Sequence, residues 1–174
     1  MPDLMALRVR EHFRIMYLYP HNDEWKFEFE RERKSILSSY KGEIDIFHIG
    51  STSIRGLYAK DCIDLLGVVN EISKVSTLRQ DFINLGYEYR GEYGIPGREY
   101  FSKKQRKVHL HIFQEGDVNV EKHLNFVMTM QGNSTLIAEL NQIKQKLHAK
   151  YPKNKDAYQN EKAFFYNRIN NMLQ

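Results

Sequence analysis

The sequence predicts an α+β domain in which a mixed β-sheet is flanked by helices and followed by a helical C-terminal tail. Short apolar or alternating segments, typical of strands, recur between residues 44 and 114, with helical spacing between them. From about residue 119 onward, apolar residues recur at helical spacing only. Strands followed by a run of helices are typical of this fold class.

The predicted strands are short, and each ends at a turn residue or a polar stretch. In chain order they cover residues 14–19, 44–49, 62–69, 87–90, 98–103 and 107–114. Pro20 ends the first strand, and the second runs into Gly50. The run CIDLLGVV at 62–69 is apolar enough for a buried strand.

The predicted helices carry apolar side chains three or four residues apart. They cover residues 23–40, 72–85, 119–130, 134–150 and 156–173. Gly42 ends the first helix and Gly86 the second, because glycine favours helix C-termini. Pro152 separates the last two. Residues 91–97 contain three glycines and a proline, and predict a flexible loop.

The composition is that of an ordinary soluble chain. The 174 residues are 41% hydrophobic and 28% charged. Such a length predicts a single domain over residues 1–174 that buries about 70% of its unfolded surface. The 26 Lys and Arg against 22 Asp and Glu give a net charge of +4. That mild excess argues against nucleic acid as a partner.

The compartment predicted from the sequence is the cytoplasm. A single cysteine, Cys62, excludes an intramolecular disulfide and fits a reducing environment. The first residues lack the pattern of a secretory signal, and no apolar stretch is long enough to predict a membrane span. The sequence leaves the oligomeric state open.

The first candidate site is the polar turn after the strand that ends at His48 and Ile49. Gly50 lets the backbone approach a ligand, and Ser51, Thr52 and Ser53 add hydroxyls that can hold an anionic oxygen. The alternative is a polar turn that satisfies its own backbone.

Asp64 stands between Ile63 and Leu65 in an otherwise apolar strand. A carboxylate there needs a metal, several donors or a cation such as Lys60 or Arg55. The alternative is a solvated strand end. We predict a site role, because carboxylates at strand ends near glycine-rich turns often hold ligands.

His109 and His111 share one face of their predicted strand, about 6.6 Å apart. Two imidazoles at that spacing can chelate a metal or hold a phosphate, and the alternative is two half-exposed side chains on a polar face. Arg98 and Arg106, in a basic stretch, are further phosphate candidates, because a guanidinium matches phosphate geometry, and the alternative is a solvated strand edge protected by lysines. The sequence assigns no chemistry to Cys62. A solvated helix face is predicted for the tail lysines, Lys144, Lys146, Lys150, Lys153 and Lys155.

These residues carry a resemblance to the GrpB family. Members show a segment like H-I-G-S-T-[AS]-V-P-G-L-x-x-K-x-x-I-D, which reads HIGSTSIRGLYAKDCID from His48 to Asp64. The likeness extends to Tyr19, Trp25, the Leu85-Gly86-Tyr87 triplet, the strands at 98–103 and 108–111, and Tyr158, Lys162 and Phe165. It covers nearly the whole chain.

The resemblance implies a nucleotidyltransferase-like fold. That superfamily joins a Gly-Ser turn to a strand with two D-x-D carboxylates, which hold divalent metal against nucleotide phosphates. Gly50 and Ser51 match the turn and Asp64 matches one carboxylate, but Leu66 stands where a second is expected. His109 and His111 are the candidates to complete a site for Mn, Zn or Mg, and histidine suits Zn or Mn better than Mg.

Two departures from the family pattern concern the same region. Arg55 replaces the usual proline, which adds a cation beside the turn. Residues 126–131, FVMTMQ, lack the family's Arg-Asp pair.

Three functions follow as hypotheses. The first in rank is a domain that binds a nucleotide or other phosphorylated small molecule, with His48, the 50–53 turn, Lys60 and Arg98 on the ligand. The second is a nucleotidyl or phosphoryl transferase, with Asp64, His109 and His111 as catalytic and metal-binding residues. The third is a nucleic-acid-binding module with a vestigial pocket. The sequence leaves catalysis and the identity of the metal and the substrate undecided.

Overall fold

The structure is a computed structural model that describes residues 17–172. Its elements are, in chain order, α1 (Glu24–Ser39), β1 (Asp45–Ile49), a 3-10 turn (Ser51–Ser53), β2 (Ile63–Val69), α2 (Ser73–Thr77), α3 (Arg79–Asn84), β3 (Glu88–Tyr89), β4 (Glu99–Lys103), β5 (Val108–Gln114), α4 (Val118–Met130), α5 (Ser134–Lys150) and α6 (Lys155–Asn171). The predicted α+β class, with a helical tail, is confirmed.

The five strands form one mixed sheet in the order β1-β2-β5-β4-β3. Strands β2 and β5 are parallel, whereas the other three pairs are antiparallel. Because β2 and β5 lie next to each other, the strand that carries Asp64 adjoins the strand that carries His109 and His111.

The two faces of the sheet differ in what covers them. Helices α1, α2 and α3 cover one face, where β2 and β5 contribute a fully apolar row: Ile63, Leu65, Val69, Val108, Leu110 and Ile112. On the other face, Leu66 and Phe113 pack against Val127 of α4. The tail helices have a further core between them, which includes Phe126, Leu140 and Phe165.

Trp25 connects α1 to the segment before β2 through a hydrogen bond. Its side chain is 1% exposed. The indole N–H donates to Asp61 Oδ1 at 2.8 Å, and the His21 ring meets the indole edge-on. Asp61 also accepts from Arg106 Nη2 at 2.8 Å. Asp61 therefore has a structural role away from Asp64.

Two predicted elements differ from the structure. Residues 14–16 of the predicted first strand lie outside the described residues, and Tyr19 forms an isolated antiparallel bridge with Ala59 instead of a strand. The predicted helix 72–85 is broken at Leu78, whose φ of -94° and ψ of 11° leave the helical region. Serine and threonine immediately before the break are weak helix formers, and Ser76 Oγ bonds back to the Ser73 carbonyl.

The tail helices begin where side-chain caps allow it. Asp117, Asn133 and Asn154 each accept a hydrogen bond from a backbone N–H in the first turn of α4, α5 and α6. Among the described helices, none is long and apolar enough to cross a membrane.

Candidate functional site

Asp64, His109 and His111 meet on one face of the sheet. Asp64 is the register partner of His109 across the parallel pair β2 and β5. The Asp64 Oδ1 atom lies 3.2 Å from His109 Nδ1 and 3.5 Å from His111 Nε2. Val108 and Leu110 point to the opposite, buried face, so the predicted alternation along β5 is confirmed.

The Asp64 carboxylate is a fixed negative charge at the surface of this cluster. Burial acts to raise its pKa, but hydrogen bonds from His109 and His111 outweigh burial and hold the pKa well below its usual range. The side chain keeps 27% of its exposure. An ionised and partly accessible carboxylate is suited to bind a cation.

The Gly50–Ser51 turn packs directly against this carboxylate. Gly50 has φ 71° and ψ -172°, a conformation that is essentially restricted to glycine. A β-carbon at this position would lie 2.9 Å from Asp64 Oδ2. The close approach of turn and carboxylate therefore depends on glycine.

Gly50→Ala is expected to destabilise the protein by about 1–3 kcal/mol, because the backbone conformation is strained for alanine and the new methyl group displaces Asp64. Chemical denaturation measures the effect. Gly132→Ala is the matched control, since Gly132 has a similar φ of 73° but open space around its α-carbon. Equal losses in the two variants would contradict a specific contact between Gly50 and Asp64.

Most of the polar groups of the turn hold the turn itself. Ser53 Oγ donates to the Gly50 carbonyl at 2.6 Å. The buried Thr52 hydroxyl lies 3.0 Å from His48 Nε2, and the His48 ring stacks on Phe29. Burial lowers the pKa of His48 to about 4, so its ring is neutral at physiological pH. These groups hold the turn in place beside Asp64.

Ser51 faces a lysine that the sequence assigned to a solvated face. Lys144 of α5 is only 2% exposed. Its Nζ donates to Ser51 Oγ at 2.6 Å and to the Tyr58 carbonyl at 2.7 Å. Burial first, and then Lys162 and Lys60, lowers its pKa well below the ordinary value. The prediction for Lys144 was wrong, whereas the other tail lysines named with it are exposed, namely Lys146, Lys150, Lys153 and Lys155.

Two more lysines complete a cationic cluster of Lys60, Lys144 and Lys162. The Lys162 ammonium of α6 lies 5.2 Å from the Tyr158 ring centre and 5.4 Å from that of Tyr166, and Lys60 lies 5.6 Å from the Tyr158 ring. Burial, followed by Lys60, lowers the pKa of Lys162 to about 8. Within residues 17–172, no member of the cluster forms an ion pair with a carboxylate.

A sequence signal for this cluster exists. Leu140, Lys144 and Leu147 follow one another at helical spacing along the buried stripe of α5. A lysine within such an apolar stripe is buried when the stripe packs against the rest of the protein. Lys162 likewise lies between two buried residues of its helix, four residues after Tyr158 and three before Phe165.

Arg98, expected to hold phosphate, is engaged within the protein. It is 5% exposed, and its guanidinium lies over the Tyr100 ring at 4.6 Å. Nε donates to the Glu92 carbonyl and Nη2 to the Tyr93 carbonyl. Nη1 lies 3.1 Å from His111 Nδ1. Arg98 thus connects the 91–97 loop to the site.

Two residues to which the sequence assigned no role, His123 and Cys62, adjoin the histidines. The His123 ring of α4 lies 5.8 Å from that of His111, and burial lowers the pKa of His123 to about 4. Cys62 groups with Asp64 and His109, since one potential ligand atom from each lies within 4.8 Å of the other two.

The match of a family model decides the classification. The model described as "GrpB protein" matches residues 16–172. The chain belongs to the GrpB family. Among its relatives, the glutamate-rich protein GrpB of Alkalihalophilus pseudofirmus is 32% identical over 165 residues, which are 90% of this chain and 94% of that protein. The UPF0157 protein YqkA of Bacillus subtilis is 33% identical over 155 residues, 83% of this chain but 45% of YqkA. The chain thus spans less than half the length of YqkA.

Comparison with solved structures supports the same classification. The crystal structure of the conserved protein GrpB from Enterococcus faecalis superimposes with a TM-score of 0.81 at 28% identity, and covers 91% of this chain and 100% of that one. The Cid1 poly(U) polymerase with bound MgGTP gives a TM-score of 0.54 at 11% identity, with 86% of this chain and 48% of that one covered. At this identity the likeness shows the fold alone, so this GrpB-family chain has the predicted nucleotidyltransferase-like fold.

Proposed function

We propose that this GrpB-family protein binds a nucleotide or another phosphorylated small molecule, with the phosphates against Ser51 and the lysine cluster. The observation that carries the proposal is Lys144, a lysine side chain only 2% exposed, whose pKa is lowered first by burial and then by two further lysines. An uncompensated buried charge lowers the free energy of unfolding by several kcal/mol. A role in ligand binding explains why the protein retains such a residue. The oxygens of a bound anion supply the missing negative charge.

The number of cations favours a ligand with several negative charges. Three ammonium groups from α5, α6 and the segment before β2 converge, and Ser51 Oγ lies among them. Lys60 lowers the pKa of both Lys144 and Lys162, and Lys162 lowers that of Lys144, so a singly charged ion leaves repulsion uncompensated. A diphosphate or triphosphate matches the charge of the cluster.

We also propose a divalent metal, among Mn, Zn and Mg, on the sheet side of the same pocket. The ionised Asp64 carboxylate lies next to His109 and His111, the residues that the sequence proposes as metal ligands. Lysines on one side and a carboxylate on the other suit an anion that is held together with a cation.

Ligand binding ranks above catalysis in this proposal. Transfer in the superfamily uses two carboxylates, and among the described residues the metal-ligand group around Asp64 contains no second one. The net charge of +4 argues against a nucleic-acid partner. The cytoplasm stands as the proposed compartment, because it suits a single reduced cysteine.

Calorimetric titration of the protein with ATP, GTP, UTP, tripolyphosphate and adenosine tests the proposal. We expect binding by the phosphate-bearing compounds and none by adenosine. Lys162→Met is expected to weaken binding by about tenfold to a hundredfold, since a charge-assisted hydrogen bond contributes about 1.5–3 kcal/mol.

The matched control is Lys34→Met, which removes one positive charge from an exposed position on α1. Its affinity is expected to equal that of the wild type. An equal loss of affinity in both lysine variants would show that the effect depends on net charge and not on the position of Lys162. If none of the phosphate compounds binds, the proposal is overturned. Conversion of the bound nucleotide during the titration would favour a transferase.

A further inference from the structure

The hydrogen bond from Arg98 fixes the tautomer of His111. A guanidinium has five N–H donors and no acceptor, so His111 Nδ1, at 3.1 Å from Arg98 Nη1, accepts. The proton of the neutral imidazole then resides on Nε2. That atom faces Asp64 Oδ1 at 3.5 Å, where an N–H can donate.

Two further N–H donors of Arg98 and its flat face are also engaged, which holds the guanidinium in this arrangement. Nη2 donates to the Tyr93 carbonyl at 2.7 Å and Nε to the Glu92 carbonyl at 3.1 Å, while the guanidinium rests on Tyr100. Metal ligation by His111 Nε2 requires a lone pair on that atom. In this arrangement the lone pair is on Nδ1 and is used by Arg98.

Cys62 supplies an alternative ligand. It precedes Asp64 by two positions, and its sulfur, an Asp64 oxygen and a His109 nitrogen lie within 4.8 Å of one another. Asp64 Oδ1 and His109 Nδ1 are already 3.2 Å apart, and His109 Nδ1 can give up its proton to a metal because Arg98 fixes the tautomer of His111 and not that of His109. Two atoms bound to one tetrahedral zinc ion by bonds of about 2.0–2.1 Å lie about 3.3–3.4 Å apart.

We infer that Cys62, Asp64 and His109 form a site for a zinc-class metal ion, and that His111 positions Asp64 instead of binding the metal. Thiolate and imidazole select Zn²⁺ or Co²⁺ over Mg²⁺, which prefers oxygen ligands. The donor set therefore disagrees with the Mg²⁺ of the fold neighbour bound to MgGTP. Three protein ligands leave one coordination position for water or for another ligand.

The inference deepens the proposed function, since it names the metal class of the same pocket and the ligands that hold it. Binding exchanges the thiol proton of Cys62 for the metal, and the proton leaves to solvent. It requires no nucleotide, so it is tested with the metal alone and can fail while phosphate binding stands.

Titration of the reduced, chelator-treated protein with Co²⁺ tests the site by absorption spectroscopy. We expect a thiolate-to-cobalt charge-transfer band that saturates at about one equivalent, disappears on addition of Zn²⁺ and persists in excess Mg²⁺. Cys62→Ser and His109→Ala are expected to lose the band. His111→Asn is expected to keep it, because the amide oxygen can accept from Arg98 while no ring nitrogen is left to bind metal.

A second measurement needs no substitution. Cys62 is the single cysteine of the chain, so alkylation by a thiol reagent reports on it alone. Cys62 is buried and burial raises the pKa of its thiol, so alkylation requires local opening of the fold; saturating Zn²⁺ is expected to slow it by about tenfold or more, since bound metal opposes that opening. Absence of a charge-transfer band in the folded wild type, loss of the band in folded His111→Asn, or unchanged alkylation would each overturn the inference.

Discussion

The affinity of the wild-type protein for ATP is expected to fall by about tenfold for each pH unit above the pKa of Lys162, which burial and Lys60 lower to about 8. Below that pH the ammonium is charged and attracts phosphate. Above it the group is neutral and the attraction is lost. ATP itself keeps its charge over this range, because the last phosphate ionisation has a pKa of about 6.

Calorimetric titrations between pH 7 and 10 measure this dependence. Two buffers of different ionisation enthalpy reveal the proton taken up on binding, since ligand charge raises the pKa of the lysines. Lys162→Met is expected to flatten the profile near pH 8, whereas Lys34→Met is expected to leave it unchanged. An affinity that stays constant from pH 7 to 10 would remove Lys162 from the phosphate site.

Lys144→Met is expected to stabilise the ligand-free protein while it weakens ATP binding. A hydrophobic side chain of similar length removes a buried charge, and such replacements stabilise proteins by up to about 1–4 kcal/mol. The lost hydrogen bonds to Ser51 and Tyr58 reduce the gain. Lys144 is thus expected to strengthen ATP binding while it lowers the stability of the ligand-free protein.

The pH dependence of stability identifies the cause of the effect. The folded-state pKa of Lys144 lies well below the 10.5 of a free lysine, so between these values the unfolded chain binds more protons. The free energy of unfolding therefore rises with pH in this window, and the penalty is fully present only below the folded-state pKa. In urea unfolding experiments, the free energy of unfolding of Lys144→Met is expected to rise less with pH than that of the wild type. A variant less stable than the wild type at every pH would contradict a buried-charge penalty.

The sequence predicted the strands of the site to within about a residue, because their apolar runs and alternation are local. The common face of His109 and His111 follows from the two-residue period of a strand. That β2 pairs in parallel with β5 is a long-range property, which no local pattern in Asp64 or His109 specifies. The proximity of Asp64 to His109 and His111 is therefore visible only in the assembled sheet.

Lys144 and Lys162, which join the predicted Lys60 in the cationic cluster, escaped prediction for a related reason. A lysine on a helix is usually solvated, and the burial of Lys144 depends on how α5 docks beside Ser51 and Tyr58. The role of Arg98 depends equally on the path of the 91–97 loop, whose carbonyls it binds. Such contacts arise between elements that are distant along the chain.

The packing of Trp25 gives the protein an intrinsic optical reporter. It is the single tryptophan of the chain, it is buried, and its indole N–H is held by Asp61, three residues before Asp64. Fluorescence excited at the indole band therefore arises from one environment, at the junction of α1 and the chain entering β2. Exposure of that junction to water is expected to shift the emission to longer wavelength. Unfolding can then be followed at submicromolar concentration without an attached dye.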